Sequence, residues 1–416
     1  MKKIIAMLLA LIMALSLVAC GNGGGGADAD AKTVVYWSMW ESTEPQGQAI
    51  AAAVESFTKE TGIKVDLQFK GRTGIREGLQ PALDAGQVID VFDEDIDRIN
   101  TTFAPYLLDL EELAAKYDYE KTAIAGLIGA CREVGGGKLM SVPYQPNVFN
   151  FFYNAKIFAE VGVSAPTTWA ELLDVCAKIK AAGYTPITCD DAYITCMIGY
   201  HLGRLVGEDG VRDIVMNGKW DDPAVVQFAK EYEELASLGY FSANVESNVW
   251  PNGQNVELAG GSAAMYLNGS WLPNEVKGIT GEDFEWGCFS YPTVENGTVG
   301  LEAANYGAQV YAINAKTEVA DEAFQLINYL TKGEADKNLS TMSVGIPADT
   351  TNTEWPALMA GVKPVMEATT LRWSWAVGVE SNNDITPAIK ENTLKLCGGS
   401  ITADEFIANM MAAAGK

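Results

Sequence analysis

Between Val34 and Phe92 the chain reads VVYWSMWESTEPQGQAIAAAVESFTKETGIKVDLQFKGRTGIREGLQPALDAGQVIDVF, and this stretch decides the fold. Val34 to Trp40 is rich in β-branched and aromatic residues, which predicts a strand. Ile50, Val54 and Phe57 then recur at helical spacing until Thr61-Gly62 stops the helix. Val65, Leu67 and Phe69 alternate as a second strand. A further helical segment runs to Ala85-Gly86, and Val88 to Phe92 predicts a short buried strand. Strand, helix, strand, helix, strand with short links implies a parallel sheet covered on both faces.

The same alternation continues downstream. Phe149 to Tyr153 predicts a strand. Thr168-Trp169-Ala170-Glu171 is a capping box that opens a helix with Leu172, Cys176 and Ile179 inward. Gly183 ends that helix, and Thr185 to Cys189 predicts the next strand. Asp222-Pro223 supplies an N-cap and a first-turn proline for a helix burying Val225, Phe228, Tyr232 and Leu235. Ala263 to Leu267 and Gln309 to Ile313 predict strands, Val319 to Leu330 a helix, and Thr402 to Glu405 a second capping box. The pattern predicts two α/β lobes. Ligands bind at the carboxyl ends of strands in such sheets, so two lobes that face each other make a cleft with hinge closure as its motion.

The N-terminus is a processing signal. Lys2 and Lys3 precede an apolar run from Ile4 to Val18, which is a secretory signal peptide over residues 1–19, too short for a good membrane span. The junction Leu17-Val18-Ala19-Cys20 resembles the bacterial lipobox, which implies diacylation of Cys20. Two acyl chains anchor stably, at roughly 0.8 kcal/mol per buried methylene. Residues 20–32 hold the Gly-rich segment Gly21 to Ala31, a flexible tether.

A net charge of −25 disfavours nucleic acid and anionic lipid as partners. It also disfavours an anionic ligand. Six cysteines follow Cys20 without a dense disulfide pattern, and a Cys189–Cys196 bridge stays open. Cys176 reads as core, and His201, the one histidine, as structural. There is no zinc-type His/Cys spacing, and the acidic loops lack EF-hand spacing, so no metal or organic cofactor is expected.

Four segments, in order, resemble the family 1 extracellular solute-binding proteins of ABC transporters, a maltose-binding-protein-like sugar-binding group. They are Gly137 to Tyr144 with Phe151-Phe152-Tyr153-Asn154; Ala165-Pro166-Thr167-Thr168-Trp169 to Leu172; Gly260 to Met265 with Asn268-Gly269-Ser270-Trp271; and Tyr311-Ala312-Ile313-Asn314 before Ala323-Phe324. The likeness runs from about Thr33 to the end. It implies a two-lobe periplasmic-binding-protein-like α/β fold with discontinuous lobes, an N-lobe of 33–143 with 306–345 and a C-lobe of 144–305 with 346–416. It also implies a monomer on the outer face of the cytoplasmic membrane. That protein would be held there through its lipid anchor only and would pass a carbohydrate to ABC transporter permease subunits.

Sugars present flat apolar C–H faces rimmed by hydroxyls, so their sites need aromatic plates and planar polar groups. Trp40 and Glu41 follow the first strand; Asp93, Glu94 and Asp95 follow the strand ending at Phe92. Tyr144, Gln145 and Asn147 sit at the inferred hinge, stiffened by Pro143 and Pro146; Asp190, Asp191 and Tyr193 follow the strand near Cys189. The resemblance places a stacking tryptophan at Trp271. Asn305 lies near the second crossing, and Arg372, Trp373 and Trp375 form a late cluster. The two tryptophans point the same way on a strand, and Trp373 is taken as the binding one. The binding set is therefore Trp40, Glu41, Asp93, Asp95, Tyr144, Asn147, Asp191, Tyr193, Trp271, Asn305, Arg372 and Trp373.

Three other readings stay open. A polyamine or peptide ligand would suit Asp93, Asp95 and Asp191. A membrane sensor could receive the ligand instead of a transporter. A secreted glycosidase needs two carboxylates at a mechanistic distance, and no motif here fixes such a pair. The sequence reads as a binding protein and not as an enzyme.

Overall fold

The computed structural model describes residues 32–416 except residue 282. The expected signal peptide, the expected lipidation site Cys20 and the expected tether up to residue 31 lie outside the described residues. Strand β1 (Thr33–Ser38) pairs in parallel with β2 (Lys64–Phe69) on one side and with β3 (Val91–Asp95) on the other. Helix α1 (Pro45–Thr61) joins β1 to β2. Pro45 starts it, Gly62 ends it at φ 76°, and it buries Ile50, Val54 and Phe57. Helix α2 (Gly71–Asp84) buries Ile75, Leu79 and Leu83 on the way to β3.

The expected strand at Val88 to Phe92 is displaced toward its carboxyl end. Val88 is 68% exposed, and the Asp90 carboxylate accepts from Val35 N (2.8 Å) and Thr317 Oγ1 (2.6 Å). Regular pairing therefore begins at Val91. Its C-terminal residue, Asp95, then caps α3 (Ile96–Thr102) by accepting from Asp97 N at 2.9 Å.

Two long strands tie the molecule together. In β4 (Val142–Asn154), the part from Val142 to Val148 lies antiparallel to β8 (Ala303–Ile313). The part from Phe149 onward lies between β6 (Ala263–Gly269) and β7 (Trp286–Phe289). The expected strand at Phe149 to Tyr153 is only the second half of this element. Pro143 and Pro146 can donate no hydrogen bond to the ladder, and the strand bulges between Tyr144 and Pro146, with Gln145 at φ 44°. Strand β8 also pairs antiparallel with β3, and β6 parallel with β5 (Thr185–Thr188). A short β9 (Leu371–Trp373) joins Ala303 to Asn305 of β8, completing a sheet of order β2-β1-β3-β8-β4-β6-β5.

Helices cover both halves. Helices α4 (Trp169–Ala181), α5 (Ile194–Asn217) and α6 (Pro223–Ser237) surround the second half. The Thr168/Glu171 capping box is formed, and Gly207 interrupts α5 at φ 70°, ψ 172°. The late helices divide between the halves. Helices α7 (Ala320–Leu330) and α8 (Gly333–Ser343) pack on α1, whereas α9 (Thr386–Gly398) and α10 (Ala403–Ala413) pack on α6. The connecting segment stays with the first half as far as Thr350, whose amide donates to Thr122 O at 2.8 Å.

Cys189 and Cys196 are unpaired and buried, and the Cys189 thiol meets that of Cys397 on α9 instead. Cys176 is in the core, as its spacing implied. His201 is fully buried between Tyr291 Oη (3.1 Å) and the Glu231 carboxylate (3.0 Å), and burial lowers its pKa. Among the described residues no helix is long and apolar enough to cross a membrane.

Candidate functional site

The turn that follows β6 sets the first aromatic plate. Ser270 N donates to Val148 O at 2.9 Å, and Val148 N donates back to Ser270 Oγ at 3.3 Å, which ties the turn to β4. A Cβ on Gly269 would lie 2.3 Å from ring atoms of Trp271, so the indole rests on bare backbone. The half-buried Trp271 ring meets Phe149 edge-on at 5.2 Å and Tyr193 at 6.1 Å.

Tyr193 is fixed by the loop after β5. Buried Asp190 accepts from Ala192 N (2.7 Å), Tyr193 N (3.1 Å) and the Tyr266 hydroxyl. Burial raises the Asp190 pKa and these hydrogen bonds oppose the rise. Asp191 accepts from Trp250 N at 3.0 Å, which brings in a second plate, 6.2 Å from Tyr193. Trp375 is the third, 6.3 Å from Tyr193 and 5.3 Å from Phe149, with Nε1 donating to Glu380 at 3.0 Å. Trp250 and Trp375 remain 41% and 36% exposed, whereas Tyr193 is 9% exposed. Three partly open indoles thus surround one buried phenol.

Trp375 also lines a cavity of about 640 Å³, with Asp97, Arg372, Glu208 and Glu380 in its wall. Arg372 Nη2 reaches Asp97 at 2.8 Å and its Nε donates to Tyr306 O at 2.9 Å. This ion pair spans from α3 of the first half to β9. Asn305 is turned inward. Its amide donates to the carbonyls of Trp373 (3.3 Å) and Ser374, so it anchors the β9 loop.

Trp373 is not among the open indoles. It is 2% exposed, packs on Tyr200 and lies under the Arg204 guanidinium at 4.9 Å. Strand β9 ends at Trp373, so strand alternation does not carry on to Trp375, and the two indoles lie in different environments. Trp375, not Trp373, is the indole left partly open.

The residues of the first half form a different kind of set. Trp40 Nε1 donates to Tyr144 Oη at 2.8 Å, and Tyr144 donates to Asp93, which also accepts from Met39 N at 2.9 Å. Tyr144 stacks on Tyr311 with centroids 4.0 Å apart. All three members are buried, and burial pushes the Asp93 carboxyl up to about 7. Their polar atoms serve one another. Asp95 is held by its cap role, and buried Glu94 is paired with Arg76 at 2.9 Å. Glu41 is exposed. Its carboxylate lies over Gly71, where a Cβ would meet Oε1 at 2.1 Å. Half-buried Asn147 sits on β4 opposite Gly307.

The structure therefore joins Tyr193, Asp191 and Trp271 to Phe149, Trp250 and Trp375, and joins Arg372 to Asp97. Sequence reasoning missed Phe149, Trp250 and Asp97 as site members. Phe149 reads as an ordinary strand residue, and Trp250 sits in a loop with no periodicity.

A family model for bacterial extracellular solute-binding proteins matches residues 40–337. This chain belongs to that family. It is 29% identical to the multiple sugar-binding protein of Streptococcus mutans over 210 residues, 48% of each chain. It is also 29% identical to a diacetylchitobiose binding protein of Streptomyces coelicolor over 238 residues, 54% of this chain and 50% of that one. The match thus spans about half the length of these relatives. The structure of a probable secreted solute-binding lipoprotein from Streptomyces coelicolor superposes with a TM-score of 0.75 at 15% identity, covering 94% of this chain and 100% of that one. The fold is accordingly the two-lobed α/β fold of solute-binding proteins.

Proposed function

We propose that this solute-binding protein captures a sugar or oligosaccharide in the cleft beside Trp271 and Trp375 and delivers it to an ABC importer. The observation that carries the reading is the set of partly open indoles around Tyr193, one of which, Trp375, also lines a cavity of about 640 Å³. Indole faces match the C–H faces of pyranose rings, and the carboxylates and amides nearby can accept and donate at the hydroxyl rim. The names of the two sugar-binding relatives support the same ligand class.

The lobes in this reading are 33–143 with 306 to about 352, and 144–305 with the remainder. We set the third crossing, expected at 345, after Asn352; in support, Asp349 accepts from Gly333 N (2.8 Å) and Thr350 N donates to Thr122 O (2.8 Å) in the first half. The ribbon of β4 and β8 is the hinge. Ligand favours the closed form only through contacts that the open form lacks. The chain acts as a monomer on the outer face of the membrane, anchored through Cys20, and performs no chemistry on its ligand.

Thermal unfolding of residues 33–416 against neutral oligosaccharides, polyamines and peptides tests this. A ligand at a hundred times its Kd adds about 2.7 kcal/mol of apparent stability. Stabilisation by oligosaccharides is expected. Stabilisation by polyamines or peptides alone would leave the fold standing and refute the sugar reading.

A further inference from the structure

Resting on the sugar-cleft reading, we infer that the cavity is a charge filter that accepts glycans without anionic substituents and rejects those bearing uronate, sulfate or phosphate groups. Five carboxylates line its wall, on Asp97, Glu133, Glu208, Asp209 and Glu380, against the two guanidiniums of Arg212 and Arg372. Two arginines in a sugar cleft would ordinarily suggest an acidic sugar, because the planar fork suits carboxylate and sulfate. Here each guanidinium already carries a carboxylate.

Arg372 is held by Asp97 at 2.8 Å and by Tyr306 O at 2.9 Å. Arg212 gives Nε (3.1 Å) and Nη2 (2.6 Å) to Glu208, Nη1 to Ser381 Oγ (2.9 Å), and Nη2 also to Ser374 Oγ (2.7 Å). Glu208 is in turn fixed by Ser374 N at 2.9 Å. An anion that approaches either guanidinium therefore meets a cation already neutralised by a partly buried carboxylate, and displacing that carboxylate would leave it uncompensated. Glu380 is balanced from outside the cavity by Lys390 at 3.6 Å. Glu133 and Asp209 are exposed and have no ion pair among the described residues. They leave the cavity wall with excess negative charge on a protein of net charge −25.

Glu133 and Asp209 are thus specificity-determining through repulsion, and a neutral ring crosses the same wall without this penalty. Because both carboxylates are exposed, the repulsion is screened by salt, whose Debye length falls from about 10 Å at 0.1 M to about 3 Å at 1 M.

The test is calorimetric titration of residues 33–416 with neutral gluco-, xylo- and chito-oligosaccharides, each paired with its uronate- or sulfate-bearing counterpart. The anionic member of the pair should bind at least tenfold more weakly at 0.05 M salt, and the ratio should shrink at 1 M. The E133Q/D209N variant should lower that ratio at 0.05 M, with its unfolding temperature measured beside it to show that it folds. An anionic glycan that binds as tightly as its neutral counterpart, or a ratio indifferent to salt and to the variant, overturns the filter while leaving sugar binding intact. Failure of every glycan to bind refutes the sugar reading itself and the filter with it.

Discussion

Asp93→Asn should remove much of the pH dependence of this protein's stability. The Asp93 side chain is fully buried, accepts from Met39 N at 2.9 Å and from Tyr144, and its carboxyl is pushed up to about 7 by burial. The same group in an unfolded chain titrates near 3.9. Between these values the folded protein holds a proton that the unfolded chain has released. The stability that this proton contributes is fully present below about pH 4 and is lost as pH rises through about 7. At about 1.4 kcal/mol per pKa unit, the loss between pH 5 and pH 8 comes to about 3 kcal/mol. Asparagine mimics the protonated carboxyl, with one acceptor oxygen and donor hydrogens, and does not titrate. Asp95 and Asp336, both raised to about 6, also favour the folded state at low pH, but they act equally in both proteins. Urea unfolding of wild type and variant at pH 5 and pH 8 measures the difference. The variant should lose about 3 kcal/mol less than wild type over that interval. Parallel pH profiles for the two proteins would show that Asp93 is ionised at pH 5 in the fold, and the reasoning from burial would fail.

Other expectations follow from the same geometry. Trp271→Ala and Trp375→Ala should each weaken oligosaccharide binding roughly tenfold or more, the loss of a stacking face worth at least about 1.4 kcal/mol. Trp373→Ala should instead lower unfolding stability by about 3–5 kcal/mol, because it empties a core site beneath Arg204; a pure affinity effect would contradict that placement. Gly269→Ala should lift Trp271 from its seat, since the new Cβ would fall 2.3 Å from the ring, and tryptophan fluorescence and sugar affinity should change together. Cys20→Ser should release the protein from cell membranes into the medium; retention at the wild-type level, measured by fractionation, would refute the lipid anchor.

The parts of the fold legible in the sequence were those decided locally. The spacing of Ile50, Val54 and Phe57, the stop at Gly62 and the boxes at Thr168 and Thr402 are short-range hydrogen-bond and burial rules, and the corresponding helices form where those rules put them. Trp271, singled out through the resemblance, does lie in the turn after β6 and meets Phe149 and Tyr193 there. Elements whose ends depend on partners were less legible. The strand at Val88 slipped to Val91 because Asp90 bonds to Val35 and Thr317, one of them 227 residues away. The strand expected at 149–153 runs instead from Val142 to Asn154, because β8 pairs with its first part, which no alternation in 149–153 can reveal.

By itself, then, the sequence determined the α/β class, the acidic charge and the family, all properties of composition, short motifs or their order. Tertiary structure alone decided which of the candidate side chains are buried and which stay open. Trp373 and Trp375 are two residues apart and chemically identical, but one ends a short strand packed in the core and the other lies past its end, partly open. Asp93 carries a charge suited to a ligand, but burial and Tyr144 turn it into an internal member of a hydrogen-bonded network. Arg372 is matched to Asp97 across 275 residues of chain, and only the folded path of β8 and β9 brings the pair within 2.8 Å.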